Sequence, residues 1–366
     1  MWRTRRRIVA LLQGAAILLL PFLRIRGESA LRFDIPSLRL HFFGTVLWID
    51  EFYLFLLALL FLLMLGLAVT VLLGRIWCGW ACPQTVLALL AEWPAGLLPR
   101  RFRAAGKALA LVPLSALASL SLIWYFVPPA EAVRNLFRSP VIFGFFVTQW
   151  AVIYGMVAVV GTRFCRTVCP YAMLQNVVSD RETISVAYDD SRGECLRCDQ
   201  CIAACPVGID IREGEQRECI ACAGCVDACI LTTEAVGVDP FVGYRGTVRR
   251  PKAYLLAGVT AVAALVFAVA VLEKPPVAFA VQWLERADGT SANVYRYSIR
   301  NDLPEPLVLK LSARGGHIVG DPYVDVPRWS RANGRVTVVA EEPPPAAIRF
   351  TAQGGAVHLE ETAAFP

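Results

Sequence analysis

Residues 195–206, CLRCDQCIAACP, and 219–229, CIACAGCVDAC, hold eight of the chain's 12 cysteines in two copies of one pattern. Gaps of two, two and three residues separate Cys195, Cys198, Cys201 and Cys205, and again Cys219, Cys222, Cys225 and Cys229. Pro206 follows the first copy; Ile230 follows the second, where another proline is usual. This is the run of two-cluster bacterial ferredoxins, in which the fourth cysteine of each copy ligates the other copy's cluster. The ligand sets are then Cys195, Cys198, Cys201 and Cys229 for one 4Fe–4S cluster, and Cys219, Cys222, Cys225 and Cys205 for the other. Three closely spaced thiolates cap three irons of a cubane, and the crossed fourth ligand ties the halves into one small domain. A pair of all-cysteine zinc sites is the competing reading. Zinc ribbons, however, use two separated CxxC knuckles, not a triple with a trailing Cys-Pro.

Working outward, the composition is that of a membrane protein. Of 366 residues, 56% are hydrophobic, only 18% are charged and the mean hydropathy is +0.52, against roughly 25% charged residues in typical globular domains. The net charge of +6 comes from arginines beside apolar runs, which fits membrane flanks and argues against nucleic acid as a partner. Cysteines in cluster spacing point to a reducing compartment rather than a disulfide framework.

Along the chain, MWRTRRR is basic and residues 8–23 form a short apolar run. A signal peptide would need a small-x-small cleavage site, but LRIRGES follows, so the run reads as a first membrane helix. Residues 24–50 read as a loop of mixed charge. Residues 52–73 are the clearest span, without a charge, and end at the interfacial anchors Arg75 and Trp77. GRIWCGWACPQT then places Cys78 and Cys82 just beyond the lipid. A basic loop, 93–107, carries Arg100, Arg101, Arg103 and Lys107; a third span covers 109–127 and a fourth 141–160. The fourth leads into GTRFCRTVCPYA, with Cys165 and Cys169 at the same depth as the first pair. A polar connector precedes the ferredoxin run, and residues 254–272 form a fifth span behind Arg249, Arg250 and Lys252. From Pro275, VAFAVQW, a turn at Asp288-Gly289, NVYRYSI, PLVLKL, RVTVVA and AIRFTA have the alternation and spacing of a small all-β sandwich. No cysteine follows Cys229, so this tail reads as a packing or docking module.

The reading is an integral membrane α-helical bundle of five spans with an inserted two-cluster ferredoxin-like domain and a C-terminal all-β domain. The divisions are 1–50 (first helix and loop), 51–180 (spans two to four with both CxxxCP motifs), 181–248 (ferredoxin), 249–274 (fifth span) and 275–366 (β domain). By parity, both Cys-Pro pairs and the ferredoxin share the N-terminal side. Basic clusters at 100–107 and 245–252 lie on that side, which places the clusters in the cytoplasm and the tail in the periplasm of a bacterial inner membrane.

Cys78/Cys82-Pro83 and Cys165/Cys169-Pro170 end spans two and four in the same way. Cysteines four apart share one face if helical, and the proline favours a fresh helix start. Thiolates are soft ligands that select Cu(I), zinc or iron–sulfur iron. If the two ends are neighbours, four sulfurs converge on one metal or exchange as redox disulfides. Buried cysteines can also be mere small hydrophobes, but the twinned spacing and flanking Trp77, Trp80 and Arg166 favour a functional pair of motifs. Asp50 and Glu51, at the mouth of span two, are candidates for handling quinol protons, although interfacial carboxylates are common. His41, His317 and His358 are scattered and carry no metal pattern.

The layout resembles the FixG/RdxA/CcoG family of cytochrome c oxidase accessory proteins. The resemblance rests on FDIPSLRLHFFGTVLWIDEFYL, GRIWCGWACPQTV, FCRTVCPYAMLQ, DRETISVAYDDSRGE, CPVGIDIREGEQRECIACAGCVDAC and DGTSANVYRYSIRN, in the family's order. It implies five spans, a cytoplasmic diferredoxin, an immunoglobulin-like tail and a role in maturing the cbb3-type oxidase by reducing Cu(II) to Cu(I). By the same resemblance, Cys78, Cys82, Cys165 and Cys169 are the copper-handling or electron-relay site. The implied partners are the lipid bilayer, a cytoplasmic electron donor, and oxidase subunits or copper chaperones. The chain departs from the family pattern in a shorter 93–107 segment, a shorter connector before Cys195, and Ile230 in place of the customary aspartate. Two other functions compete. One is a quinol dehydrogenase similar to the membrane subunit of periplasmic nitrate reduction systems, whose members generally lack the fifth span and β tail. The other is a non-catalytic assembly factor docking through that tail.

Overall fold

The computed structural model describes residues 1–162, 164–165, 169–180, 182–189, 191, 195–214, 216–286, 292–340 and 346–365. The turn expected at Asp288-Gly289 and the flanking Arg166 lie outside the described residues. The helices treated below are, in chain order, α1 (Trp2–Leu19), α2 (Phe52–Leu73), α3 (Ile76–Trp80), α4 (Pro83–Ala95), α5 (Arg103–Trp124), α6 (Pro129–Asn135), α7 (Pro140–Gly155), α8 (Pro170–Val178), α9 (Gln200–Ala203), α10 (Gly224–Glu234) and α11 (Pro251–Leu272). Packing divides the chain into two units. One comprises Met1–Arg24, Ser29–His41 and Trp48–Ala268; the other comprises Ile25–Glu28, Phe42–Leu47 and Val269–Pro366.

Among the described residues, four helical segments are long and apolar enough to cross a bilayer: Phe52–Leu73, Arg100–Trp124, Pro140–Val160 and Pro251–Leu272. They agree with spans two to five of the sequence reading to within a few residues, except that the third begins well ahead of 109. Each holds an apolar stretch close to the roughly 20 residues a helix needs to span hydrocarbon with its backbone internally satisfied, with basic residues confined to the first turns of the second and fourth.

Three local expectations change. The first helix begins at Trp2, not at residue 8, so Arg3, Arg5, Arg6 and Arg7 lie inside it, and Pro21 ends it in a 3-10 turn. It is therefore not among the four spans. One of its arginines is drawn into the protein: Arg6 is buried and its Nε donates to the Gly79 carbonyl at 3.1 Å. The Asp227 carboxylate of α10 accepts the Trp2 and Arg3 N–H groups at 2.8 and 2.7 Å, satisfying donors that a helix start leaves open. The basic loop contracts, because α4 continues to Ala95 and a 3-10 turn at Arg100–Phe102 opens α5, which carries Arg103 and Lys107. Finally, residues 24–48 are not a plain loop but hold five short strands, β1 (Arg24–Ile25), β2 (Glu28–Ser29), β3 (Leu31–Asp34), β4 (Arg39–Phe42) and β5 (Thr45–Trp48). Behind them, Glu51 accepts the Trp48 N–H at 3.1 Å ahead of α2.

The cysteine run is bracketed by β6 (Ser185–Tyr188) and β7 (Val242–Arg245), which pair antiparallel with Val186 opposite Tyr244. Val186, Ile211, Ala221, Ala223, Val226 and Val242 form its buried core, with Cys201, Cys219, Cys225 and Cys229 packed against it.

In the second unit, β8 (Val277–Arg286), β9 (Ala292–Asn301), β10 (Leu307–Arg314), β11 (Gly316–Val319), β12 (Tyr323–Val326), β13 (Ser330–Ala340), β14 (Ala347–Gly354) and β15 (Val357–Ala364) form two four-stranded sheets. Their orders are β12-β10-β14-β15 and β11-β13-β9-β8, with antiparallel pairing throughout. Alternation of period two turns Tyr295 and Ile299 of β9 inward, and Tyr295 meets Phe350 edge-on at 4.9 Å.

Candidate iron–sulfur and thiol site

The two cysteine triples are built alike in the backbone as well as in sequence. Arg197 and Asp199 of the first have φ of 49° and 56°; Ala221 and Ala223, at the same places in the second, have 49° and 57°. None of these is glycine. Each left-handed residue costs roughly 1–2 kcal/mol, and strain of this kind persists where the surroundings impose it, commonly at functional sites. Alternating left-handed residues curl each CxxCxxC back on itself. One apolar hollow is lined by Cys205, Cys219, Cys222 and Cys225, with Cys201 on its wall. Four thiols from the two copies around one dry hollow fit a 4Fe–4S cluster with the crossed ligand. Of the other set, Cys195 and Cys201 lie within electrostatic reach of each other, and Cys229 packs on the same core.

The two Cys-Pro motifs fold into matching corners. Span two ends at Gly74 (φ 55°, ψ −132°) and span four at Gly161 (φ 53°, ψ −137°), a left-handed conformation that glycine adopts without steric cost. Four residues on come Cys78 and Cys165. The pairs do not lie on one continuous helix. Cys82 is instead the N-cap of α4 and Cys169 the N-cap of α8, each with its proline at the first helical position.

The corners brace each other reciprocally. Gln84, on the helix after the first corner, donates to the Gly161 carbonyl at 2.7 Å and to Met156 at 3.4 Å. Gln175, on the helix after the second, is fully buried and donates to the Gly74 carbonyl at 3.2 Å. Its Oε1 accepts from Cys78 Sγ and Arg75 Nε, both at 3.3 Å. These braces bring Cys78 within electrostatic reach of Cys82, Cys165 and Cys169. Among the described residues, no three cysteine, histidine or acidic side chains are set as the cage of a single metal ion.

The corners also meet the cluster loops. Cys78 packs with Val207, Ile209, Ile220 and Cys222, with Cys165, Cys205 and Cys219 at the margin. At Gly79 a Cβ would collide with the Ile220 carbonyl and lie 2.9 Å from Cys222 Cα, so only glycine allows this approach. Arg75 donates to the Arg217 carbonyl ahead of Cys219. Trp80 Nε1 donates to Ala221 O at 3.3 Å and to the Tyr244 hydroxyl at 3.1 Å.

Burial pushes the Cys78 thiol up to about 11, against the pull of Arg75. Burial likewise raises Cys165 and Cys222, and takes Cys219 to about 11 and Cys225 to about 12. Without metal these thiols stay protonated at neutral pH, so metal binding must displace protons from them.

Sequence reasoning found the 12 cysteines but missed Gln84, Gln175, Gly79 and Arg75 as their supports. The repeated glycine four residues before each first cysteine was an available signal; the glutamines, at unequal distances from their prolines, offered none.

Two family models match the chain. One, described as a 4Fe-4S dicluster domain, covers residues 190–247; the other, a 4Fe-4S binding domain, covers 55–104 and 142–185, the two Cys-Pro segments. The chain is 29% identical to protein RdxA of Cereibacter sphaeroides over 89% of its own length and 84% of that protein's. It is 31% identical to RdxB of the same organism, over 52% of this chain and 47% of RdxB. With the nitrogen fixation protein FixG of Rhizobium meliloti the identity is 30%, over 52% of this chain and 43% of FixG.

Proposed function

We propose, because this chain belongs to the FixG/RdxA family of iron–sulfur electron-transfer proteins, that it passes single electrons from two 4Fe–4S clusters to Cu(II) at the paired Cys-Pro corners. The Cu(I) produced serves assembly of a cytochrome c oxidase of the cbb3 type. In this reading Cys195, Cys198, Cys201 and Cys229 hold one cluster, and Cys219, Cys222, Cys225 and Cys205 the other. When bound, the clusters supply one-electron carriers. Everything else is the work of the chain's own residues.

The observation that carries the proposal is the shared core of Cys78 with Cys222 and Ile220. A corner thiol and a cluster-ligand loop are packed in one buried core. Cu(II) enters as substrate, is held by thiolates of Cys78, Cys82, Cys165 and Cys169, takes one electron and leaves as Cu(I), which soft sulfur ligands favour. Gln175 and Arg75 orient Cys78, and Gln84 holds the opposite corner at Gly161.

Five spans are part of the proposal: the four apolar helices and α1, whose basic start stays with the ferredoxin on the cytoplasmic side. The two-sheet C-terminal unit then reads as an immunoglobulin-like periplasmic domain that docks on oxidase subunits or copper chaperones.

The test is anaerobic mixing of the protein, its clusters reduced, with Cu(II). Visible absorbance reports cluster reoxidation and a Cu(I) chelator reports product. One Cu(I) per electron lost, abolished by Cys78→Ser or Cys169→Ser with cluster absorbance retained, is the expected result. Reoxidation that these substitutions leave untouched would refute the role of the corners.

A further inference from the structure

The two cysteine sets differ in the charge placed around them. Beside Cys205, Cys219, Cys222 and Cys225 stand two arginines: Arg6 is within electrostatic reach of Cys222, and Arg75 of Cys219. Arg6 is only 8% exposed and Arg75 is partly buried. Each directs its hydrogen bonds to neutral acceptors. Arg6 Nε donates to the Gly79 carbonyl at 3.1 Å; Arg75 donates to Gln175 Oε1 at 3.3 Å and to the Arg217 carbonyl. Among the described residues neither makes an ion pair, so both keep a full positive charge. Of the acids nearest in sequence, Asp227 is turned to the first N–H groups of α1, and Glu218 is partly exposed. The other set is answered differently. Arg212 is within electrostatic reach of Cys201, but so is Asp210. Arg212 is clamped by Asp210 at 2.7 Å and Asp199 at 3.0 Å, two carboxylates on one guanidinium. Arg197 and Cys198 are exposed, so water screens the charge that remains there.

Given that both sets hold clusters serving the corners, as proposed above, we infer that Arg6 and Arg75 raise the reduction potential of the cluster on Cys205, Cys219, Cys222 and Cys225. That cluster is thereby the acceptor from the other, and electrons run toward the Cys78 corner. Reduction adds a negative charge to a cluster already anionic from its thiolates. Burial resists that charge, whereas water near the exposed Cys198 accepts it. Packing alone would therefore order the clusters the wrong way, with the electron resting at the exposed end. Uncompensated cations reverse this order. Net charge is a lever on cluster potential, and its effect is strongest where water is excluded. A buried guanidinium without a carboxylate is costly to the fold, and a neutral amide would serve the Gly79 carbonyl equally well. An anionic cluster beside Cys222 supplies the counter-charge that Arg6 lacks. The step balances: the cluster on Cys195, Cys198, Cys201 and Cys229 loses one electron and is oxidised, the second gains it and is reduced, and no proton moves.

The test is a redox titration of the full chain, clusters loaded and copper absent, with dithionite as reductant and electron paramagnetic resonance as the readout. Cys198→Ser, at the exposed ligand, alters or removes the signal of one cluster and so assigns both. In wild type, stepwise reduction should bring up first the signal that Cys198→Ser leaves unchanged. Arg6→Gln should weaken reduction of that cluster about tenfold, a fall of about 59 mV in its midpoint, and leave the other midpoint in place. Arg6→Lys should restore most of the loss, which a purely structural role for the Gly79 bond would not produce. Should Arg6→Gln fail to load its clusters, the wild-type order decides. First reduction at the Cys198 cluster, or an Arg6→Gln variant that moves both midpoints alike or neither, would overturn the inference and leave two clusters standing as carriers. A full chain that holds no 4Fe–4S cluster would instead overturn the reading beneath it.

Discussion

The corner at Cys78 and the corner at Cys165 share a left-handed glycine, an N-capping second cysteine and a proline at the first position of the next helix. Their surroundings differ. The first is sealed: Cys78 is 7% exposed, bonded to Gln175, and followed by a glycine pressed on the Ile220–Cys222 backbone. The second meets the cluster loop at an exposed hydrogen bond, Thr162 Oγ1 to the Pro206 carbonyl at 3.0 Å, and leaves Cys165 on a cavity wall. One local design thus yields a contact point and an access point, and their neighbours decide which is which.

The largest effect is expected where the sealed corner has no room. Gly79→Ala puts a Cβ against backbone, which cannot swing aside, and should cost about 3 kcal/mol, at the upper end of overpacking. Iron content and thermal unfolding read this loss. Gly144→Ala, whose Cβ meets nothing within 4 Å, should be neutral or slightly stabilising. Equal effects would break the comparison.

Next come the two braces. Gln175→Leu leaves the Gly74 carbonyl unpaired beside Cys78 and should destabilise by about 1–3 kcal/mol. Gln84→Leu removes a partly exposed bond and should cost about 0.5–1.5 kcal/mol. Denaturant unfolding in detergent, with both variants run together, checks the order; a reversal would mean that the second corner is the sealed one. Trp80→Phe is smaller than Gln175→Leu, about 0.5–1.5 kcal/mol, because the Ala221 carbonyl keeps its bond from Tyr244 at 2.7 Å.

The last prediction is a rate. In chelator-treated protein without clusters, alkylation should be slower at Cys78 than at Cys165, since only the thiolate reacts and Cys78 is the more covered. Because burial holds Cys78 up near 11, it is protonated at pH 8, and its rate should climb as pH rises towards that value. Mass spectrometry of the labelled peptides gives both rates. A rate at Cys78 that levels off at about pH 8.5, as for a free thiol, would show that the sealed corner opens when the clusters are gone.

Much of the fold was legible. Cysteine gaps, the apolar runs of α2, α7 and α11, and the alternation of β9 each act through neighbours a few residues away, so their periodicity carries the information. The first helix was misplaced for the opposite reason. Four arginines near its start look like a membrane flank until Asp227 takes up the Trp2 and Arg3 backbone N–H groups and the Gly79 carbonyl takes up the Arg6 side chain, 73 or more residues away.

What the sequence alone determined was chemistry: eight thiols in cluster spacing, two Cys-Pro motifs and apolar runs long enough to span a bilayer. Tertiary structure decided position: that the two motifs face each other, that Gln175 rather than a nearer residue supports Cys78, and that Cys165 opens on a cavity. The physical reason is range. Ligand type and helix propensity are properties of short stretches, whereas Gln84–Gly161 and Gln175–Gly74 join residues 77 and 101 apart, and such pairs exist only once the chain has folded.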